Sequence, residues 1–241
     1  MSATTNLAIP YITASQNQKE VTHSTGMALL DAAITEVLAV SVSAGNAAPT
    51  AAEYRACARI AITGATTAGR TVTLPAVKRP IFISLDAAST QSVSIVRGSA
   101  AFTVLPGTTA YLYTDGTANG MLRLGEFGPY RAAQWVRGTP GVGELLYRFR
   151  VPETSTLLPD LLGCSAQADT AATASAVLSV RRNGSQVGTI TFAAAGTVAT
   201  LATTSNAAQA FAANDFLDVV APNPADATLA DITLSLLIVR N

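Results

Sequence analysis

Charge is scarce in this chain. Only 12% of its 241 residues are Asp, Glu, Lys or Arg, about half the ~25% usual for soluble proteins, and the 15 basic residues balance the 15 acidic ones. Such a surface has no basic footprint for a phosphate backbone, so nucleic acid is not an expected partner. It also gives a free monomer little help in staying dissolved, a difficulty that a chain covered by an assembly escapes. Histidine is scarcer still. His23 is the only one, which rules out metal sites built from clustered imidazoles. A Ser-His-Asp relay would have to use it, yet Ser24 and Asp31 lie where a helix would turn them to other faces. The two cysteines, Cys57 and Cys164, are far apart and make neither a zinc spacing nor a disulfide framework, so free thiols are expected.

Long apolar runs are missing too. Nothing approaches the ~20 residues of a membrane span, and the opening MSATTNLAIPYITASQNQ has neither the basic nor the apolar part of a secretory signal. Synthesis in a reducing cytoplasm without membrane insertion is expected. No GxSxG elbow occurs. The glycines of GTPGVG (138–143) come without the Lys-Ser/Thr of a phosphate loop. Asp115, Glu126, Glu144, Glu153 and Asp160 are carboxylates that nothing in the sequence brings together as a glycosidase pair. Asn223, Asp226 and Asp231 make an oxygen-rich loop, but its spacing fits no EF-hand and its prolines suit a plain turn. Trp135 is the only tryptophan, which weakens a stacking-type sugar site. No enzyme, metal or cofactor is expected.

What is present is β pattern. After a loop at 45–52, apolar residues alternate at Ala56, Ala58, Ile60 and Ile62, at 71–75, 81–85, Val93/Ile95, Phe102/Val104, 111–113 and 121–124. Gly64, Gly69, Pro80, Gly98, Pro106-Gly107, Asp115-Gly116 and Asn119-Gly120 punctuate them. Short strands at this spacing predict an antiparallel sandwich or barrel. A segment holding Gly125, Gly128, Gly138, Gly141 and Gly143 with Pro129 and Pro140 reads as a joint. Beyond it, 145–151, 215–220 and 228–239 read as strands, and 176–192 as a hairpin about Asn183-Gly184, a dipeptide suited to the positive φ of a type I′ turn. In the last strand Ile232, Leu234, Leu236 and Ile238 should face one way and Thr233, Ser235 and Leu237 the other. Outer positions carry Ala, Thr, Ser and Gly rather than charge, leaving strand edges open to pairing with another chain.

The N-terminus differs. Pro10 marks an extended arm. Ser15 is a candidate cap for a helix over about 16–40. Met27, Leu30, Ile34 and Val37 then form a narrow stripe at 3-4-3 spacing, an oligomer seam that turns polar upstream at His23 and Glu20. The fold class is therefore mainly β: an N-terminal arm and helix (1–44), a first β module (45–128), a Gly/Pro joint (129–143) and a C-terminal β-sandwich module (144–241), both modules small and antiparallel.

The opening segment resembles a family of uncharacterised domains in bacteriophage and gene-transfer-agent particles. These begin L-x-x-P-Y-I-x-A-x-Q-x-Q-K-x-V-T-H and continue into a helix with LLDA. The chain supplies Leu7, Pro10, Tyr11, Ile12, Ala14, Gln16, Gln18, Lys19, Val21, Thr22 and His23, then Leu29, Leu30, Asp31 and Ala32. Where the family often has Asn-Glu-Ala, this chain has Ser24, Thr25 and Gly26. The later segments are similar to β modules of phage fibres. The resemblance implies a structural virion protein, a homotrimeric fibre or spike subunit displaying its β modules to a host surface glycan. On that reading Leu7, Pro10, Tyr11, Gln16, Gln18, Lys19, Val21, Thr22 and His23 anchor it to capsid, portal or tail proteins or to its own copies. Its place would be the virion, assembled in the host cytoplasm. A capsid decoration or tail adaptor without receptor role, and a glycan depolymerase or carbohydrate-binding module, are the competing readings.

Overall fold

The structure, a computed structural model, describes residues 3–13 and 17–240. The fold is mainly β, with 47% of residues in strands and 12% in helices. It divides into two compact units, Met1–Phe127 and Gly128–Asn241. The N-terminal arm and helix belong to the first unit instead of standing apart as 1–44.

The first unit runs α1 (Lys19–Thr35), β1 (Val37–Ser41), α2 (Ala51–Arg55), β2 (Arg59–Thr63), β3 (Arg70–Thr73), β4 (Lys78–Leu85), β5 (Val93–Arg97), β6 (Ala100–Val104), β7 (Thr109–Asp115) and β8 (Met121–Phe127). One sheet has the order β1-β2-β4-β7-β8 and the other β3-β5-β6. The expected antiparallel module is corrected here. β1, β2 and β4 pair in parallel, as do β3 and β5, and only β6, β7 and β8 join antiparallel. From β2 to β5 the chain alternates between sheets, so each circuit lays a strand beside the last one. Ile60 lies beside Ile83 and Val72 beside Ile95, the same 23-residue offset in both sheets. These four side chains are fully buried with Tyr54, Leu74 and Leu112. Period-two alternation is identical for parallel and antiparallel strands. The turns at Gly64 and Gly69 carry the chain across to the second sheet.

Ala56 and Ala58 are not strand residues either. Thr50 Oγ1 accepts the Glu53 N–H at 3.2 Å and Glu53 Oε2 accepts the Thr50 N–H at 2.8 Å, a capping box that starts α2. The helix seats Tyr54 in the core, its hydroxyl 3.0 Å from Thr114 Oγ1.

The second unit contains β9 (Pro129–Val136), β10 (Leu145–Arg150), β11 (Ser155–Leu157), β12 (Ser165–Thr170), β13 (Ala176–Arg182), β14 (Ser185–Phe192), β15 (Thr200–Thr203), β16 (Gln209–Phe211), β17 (Phe216–Val220) and β18 (Ala230–Arg240). Its sheets are antiparallel, β10-β17-β13-β14-β15 and β12-β18-β11-β16, with β9 also paired to β18. Half of the expected joint is thus a strand. Residues 129–136 find eight partners along β18, because an alternating PYRAAQWV can use the edge that β18 offers. Leu178, Ile190 and Val219 of one sheet share an apolar cluster with Ile232, Leu234, Leu236 and Ile238 of the other. Thr233 is exposed, as the alternation requires, but Leu237 is buried, its backbone N–H donating to Cys164 Sγ at 3.2 Å. The β13–β14 hairpin turns on Asn183 (φ 49°) and Gly184 (φ 87°), the paired positive angles of a type I′ turn. Arg148 grips the buried Asp218 carboxylate with two bonds of 2.8 and 2.9 Å.

Candidate docking surface in the N-terminal segment

The arm is tied to its own unit by backbone groups. Thr4 and Ala8 close a tight loop (Thr4 N–H to Ile9 O, 2.8 Å; Ala8 N–H to Thr4 O, 3.0 Å), and Arg55 Nε donates to Asn6 O at 2.8 Å. Ile9 rests on α1 at Gly26, where an added Cβ would sit 3.0 Å from Ile9 Cγ2. A glycine in mid-helix costs about 1 kcal/mol against alanine. Here it admits the arm, and it stands within the Ser24-Thr25-Gly26 stretch where the resembled family carries Asn-Glu-Ala. A Gly26→Val substitution is expected to lift the arm while leaving α1 helical, read as faster proteolysis within residues 3–13 at unchanged far-UV dichroism.

The helix is shorter than expected. It begins at Lys19 after Gln18, which is left-handed at φ 58° and makes no side-chain cap. Ala14, Ser15 and Gln16, including the expected cap and one anchoring residue, lie outside the described residues. It ends at Thr35, and Glu36 is extended. Val37 is therefore not the last residue of a helical seam but the first of β1, opposite Arg59. The β-branched Thr35, Val37 and Val40 favour a pleated strand, and the partner strand decides for it.

α1 buries only Thr22, Gly26 and Ala33, all small, and leaves its larger apolar residues exposed or half-buried. His23 is exposed, Met27 is 53% exposed, Leu30 is half-buried and Ile34 is 65% exposed. Spaced four, three and four residues apart, they form one stripe along a helix about 25 Å long. Amphipathic helices of single domains do the reverse. Tyr11, Ile12 and Val21 are exposed nearby in sequence, Gln18 and Lys19 are exposed, and Leu7 and Pro10 are half-buried. Thr22 is buried in its own unit, so the expectation that it meets a partner is corrected. Leu7, Ile9, Ala33, Ile34 and Arg79 line a cavity of about 560 Å³, and Ile34 also borders a hollow of about 160 Å³ with Pro80, Phe82 and Tyr111.

Beside this face, β1 is an unprotected edge among the described residues. Glu36 O accepts the Ala58 N–H at 2.7 Å and Val42 N–H donates to Thr63 O at 2.9 Å. The even-numbered residues therefore bond β2, while Val37, Ala39 and Ser41 turn their amides outward. VLAVS has no charge or proline to discourage an added strand.

Both cysteines are free, and burial pushes the Cys164 thiol up to about 11 and the Cys57 thiol above its ordinary value. Among the described residues no three His, Cys, Asp or Glu side chains gather as a metal-binding group, and no helix is long and apolar enough to cross a membrane. The Asp226 carboxylate is engaged by the backbone N–H groups of Thr173, Ala174, Thr228 and Leu229 at 2.8–3.2 Å. These bonds hold its carboxyl far below the usual carboxylate range. A depressed folded-state value stabilises the fold above the unfolded value near 4, and that stability is lost as pH falls toward the folded value. Asp226→Asn should therefore be less stable than the wild type at pH 7, with the gap closing below about pH 4, as read from urea midpoints across pH.

Sequence reasoning missed two features of this region, α2 and the open β1 edge. Thr50-x-x-Glu53 was a legible capping box. The edge had no local signal, since only pairing reveals which strand is left without a neighbour. Comparison with known proteins gives no match to any family model or to any curated protein.

Proposed function

We propose that the chain is a structural subunit of a bacteriophage or gene-transfer-agent particle, a fibre or spike protein without chemistry of its own. Its arm and α1 fix it to the particle and to two further copies, and its β units meet the host surface. In the second unit the two sheets, which share one apolar cluster, face each other as a sandwich. The observation that carries this reading is the inverted helix, which hides Thr22, Gly26 and Ala33 and presents Met27 and Ile34 to solvent. Two buried side chains of that size contribute about 1.5–3 kcal/mol each, a contribution α1 forgoes until something covers it. Of the phage-like opening motif, Tyr11, Ile12, Gln18, Lys19, Val21 and His23 are exposed.

Particles sedimented from a culture carrying the encoding genome should contain the chain. Tyr11→Asp with Val21→Asp, both at exposed positions, should remove it from particles while leaving it folded and soluble. Full incorporation of that variant would disprove anchoring through this segment.

A further inference from the structure

Strand register brings four exposed side chains into one row across the second unit. Trp135 of β9 lies opposite Thr233 of β18, Thr233 opposite Gln167 of β12, and Gln167 opposite Val198 in the segment that bridges to β12. Directly opposed residues of an antiparallel sheet project from the same face. At ~4.8 Å per strand the row spans about 14 Å. Trp135 is 57% and Val198 69% exposed, and Thr233 and Gln167 are exposed between them. On one flank the adjacent row, Ala133, Ser235 and Ser165, is small and uncharged. On the other, two residues along each strand, stand Arg137, Asp231 and Asp169, of which Asp231 is held by the Gly138 N–H at 2.8 Å.

These side chains are also unspent. No ring or guanidinium stacks on Trp135 among the described residues. Nor, among those residues, is its indole N–H, the Gln167 amide or the Thr233 hydroxyl bonded within the chain. Arg148 and Asp218 of the same unit, by contrast, are bonded to each other, and Asp226 is held by backbone N–H groups. An aromatic outcrop, two uncommitted hydrogen-bonding groups and a second apolar outcrop, none of the four charged itself, match a pyranose chain. A sugar ring offers an apolar C–H face to the indole and hydroxyls to amide and hydroxyl partners.

We infer that this row is a binding site for a neutral glycan, with Trp135 as the stacking platform and Thr233 and Gln167 fixing the hydroxyls. The inference rests on the attachment reading for its biological meaning and names the ligand class of that contact. Trp135 is the only tryptophan, so its emission reports the site without a label. The protein is titrated with neutral tetra- to hexasaccharides of glucose, galactose, mannose and N-acetylglucosamine, and run through affinity gels of the matching polysaccharides. At least one series should give a saturable emission change. Trp135→Ala should then lose at least about ten-fold in gel retention, and Gln167→Ala several-fold, with unchanged thermal unfolding. Three results would overturn it: no saturable change with any series, retention of Trp135→Ala equal to wild type, or an emission shift that follows protein concentration, which would mean that another copy covers the row. None of these touches particle incorporation, which depends on the arm and α1, so the two readings fail separately.

Discussion

Arg79→Met is expected to cost the first unit about 3–5 kcal/mol. The Arg79 side chain enters from β4 and is buried. Its Nη1 donates to Tyr54 O and Arg55 O at 2.7 Å each, Nη2 to Ala33 O at 3.0 Å and Cys57 O at 2.6 Å, and Nε to Pro80 O at 3.3 Å. A guanidinium has five N–H donors, and five carbonyls meet them. Four of these belong to the ends of α1 and α2, where unpaired carbonyls and the negative pole of the helix favour a cation. Burial lowers the affinity of Arg79 for its proton but leaves it a cation at any ordinary pH. Methionine keeps the length of the stem and removes every donor, so carbonyls of three elements lose their partner at once. Lysine offers one ammonium where a planar fork is needed, and Arg79→Lys should recover only part of the loss. Urea unfolding followed by far-UV dichroism should show the first unit melting earlier, while Trp135 emission, a reporter of the second, keeps its midpoint. An unchanged first-unit midpoint would show that these five bonds contribute nothing net.

Met27→Glu combined with Ile34→Glu should abolish self-association and leave the fold nearly untouched. Both side chains are exposed within the chain, so their replacement should change its unfolding free energy by under about 1 kcal/mol. In a homotrimer they would occupy the seam, where each contributes about 1.5–3 kcal/mol and a carboxylate would face its own copies. Together this is a loss of roughly 10²–10⁴ in association. Sedimentation velocity at a fixed concentration checks it: a trimer for the wild type and a monomer for the variant. An equal mass for both would remove this helix face from the assembly.

Local chemistry alone makes some features readable. The hairpin over 176–192 is legible because Asn183-Gly184 selects its own turn. Most strands are legible because period two is visible without a partner. The stripe of His23, Met27, Leu30 and Ile34 is legible as a helix face, but not whether its own domain or another chain covers it. Thr50 and Glu53 are readable too, but the alternation of small apolar residues after Tyr54 draws that stretch toward strand.

What the sequence determined on its own is a β-rich chain with little charge and an N-terminal helix. Tertiary structure decided the rest. It chose parallel stacking in the first unit, since backbone pairing, which side-chain alternation does not encode, sets strand direction. It ended α1 at Thr35 by giving Val37 a strand partner and Ala33 O the Arg79 guanidinium. It took 129–136 from a joint into a sheet by opening an edge along β18. It also set Trp135, Thr233, Gln167 and Val198 in one row, because register joins residues far apart in the chain that no local pattern relates.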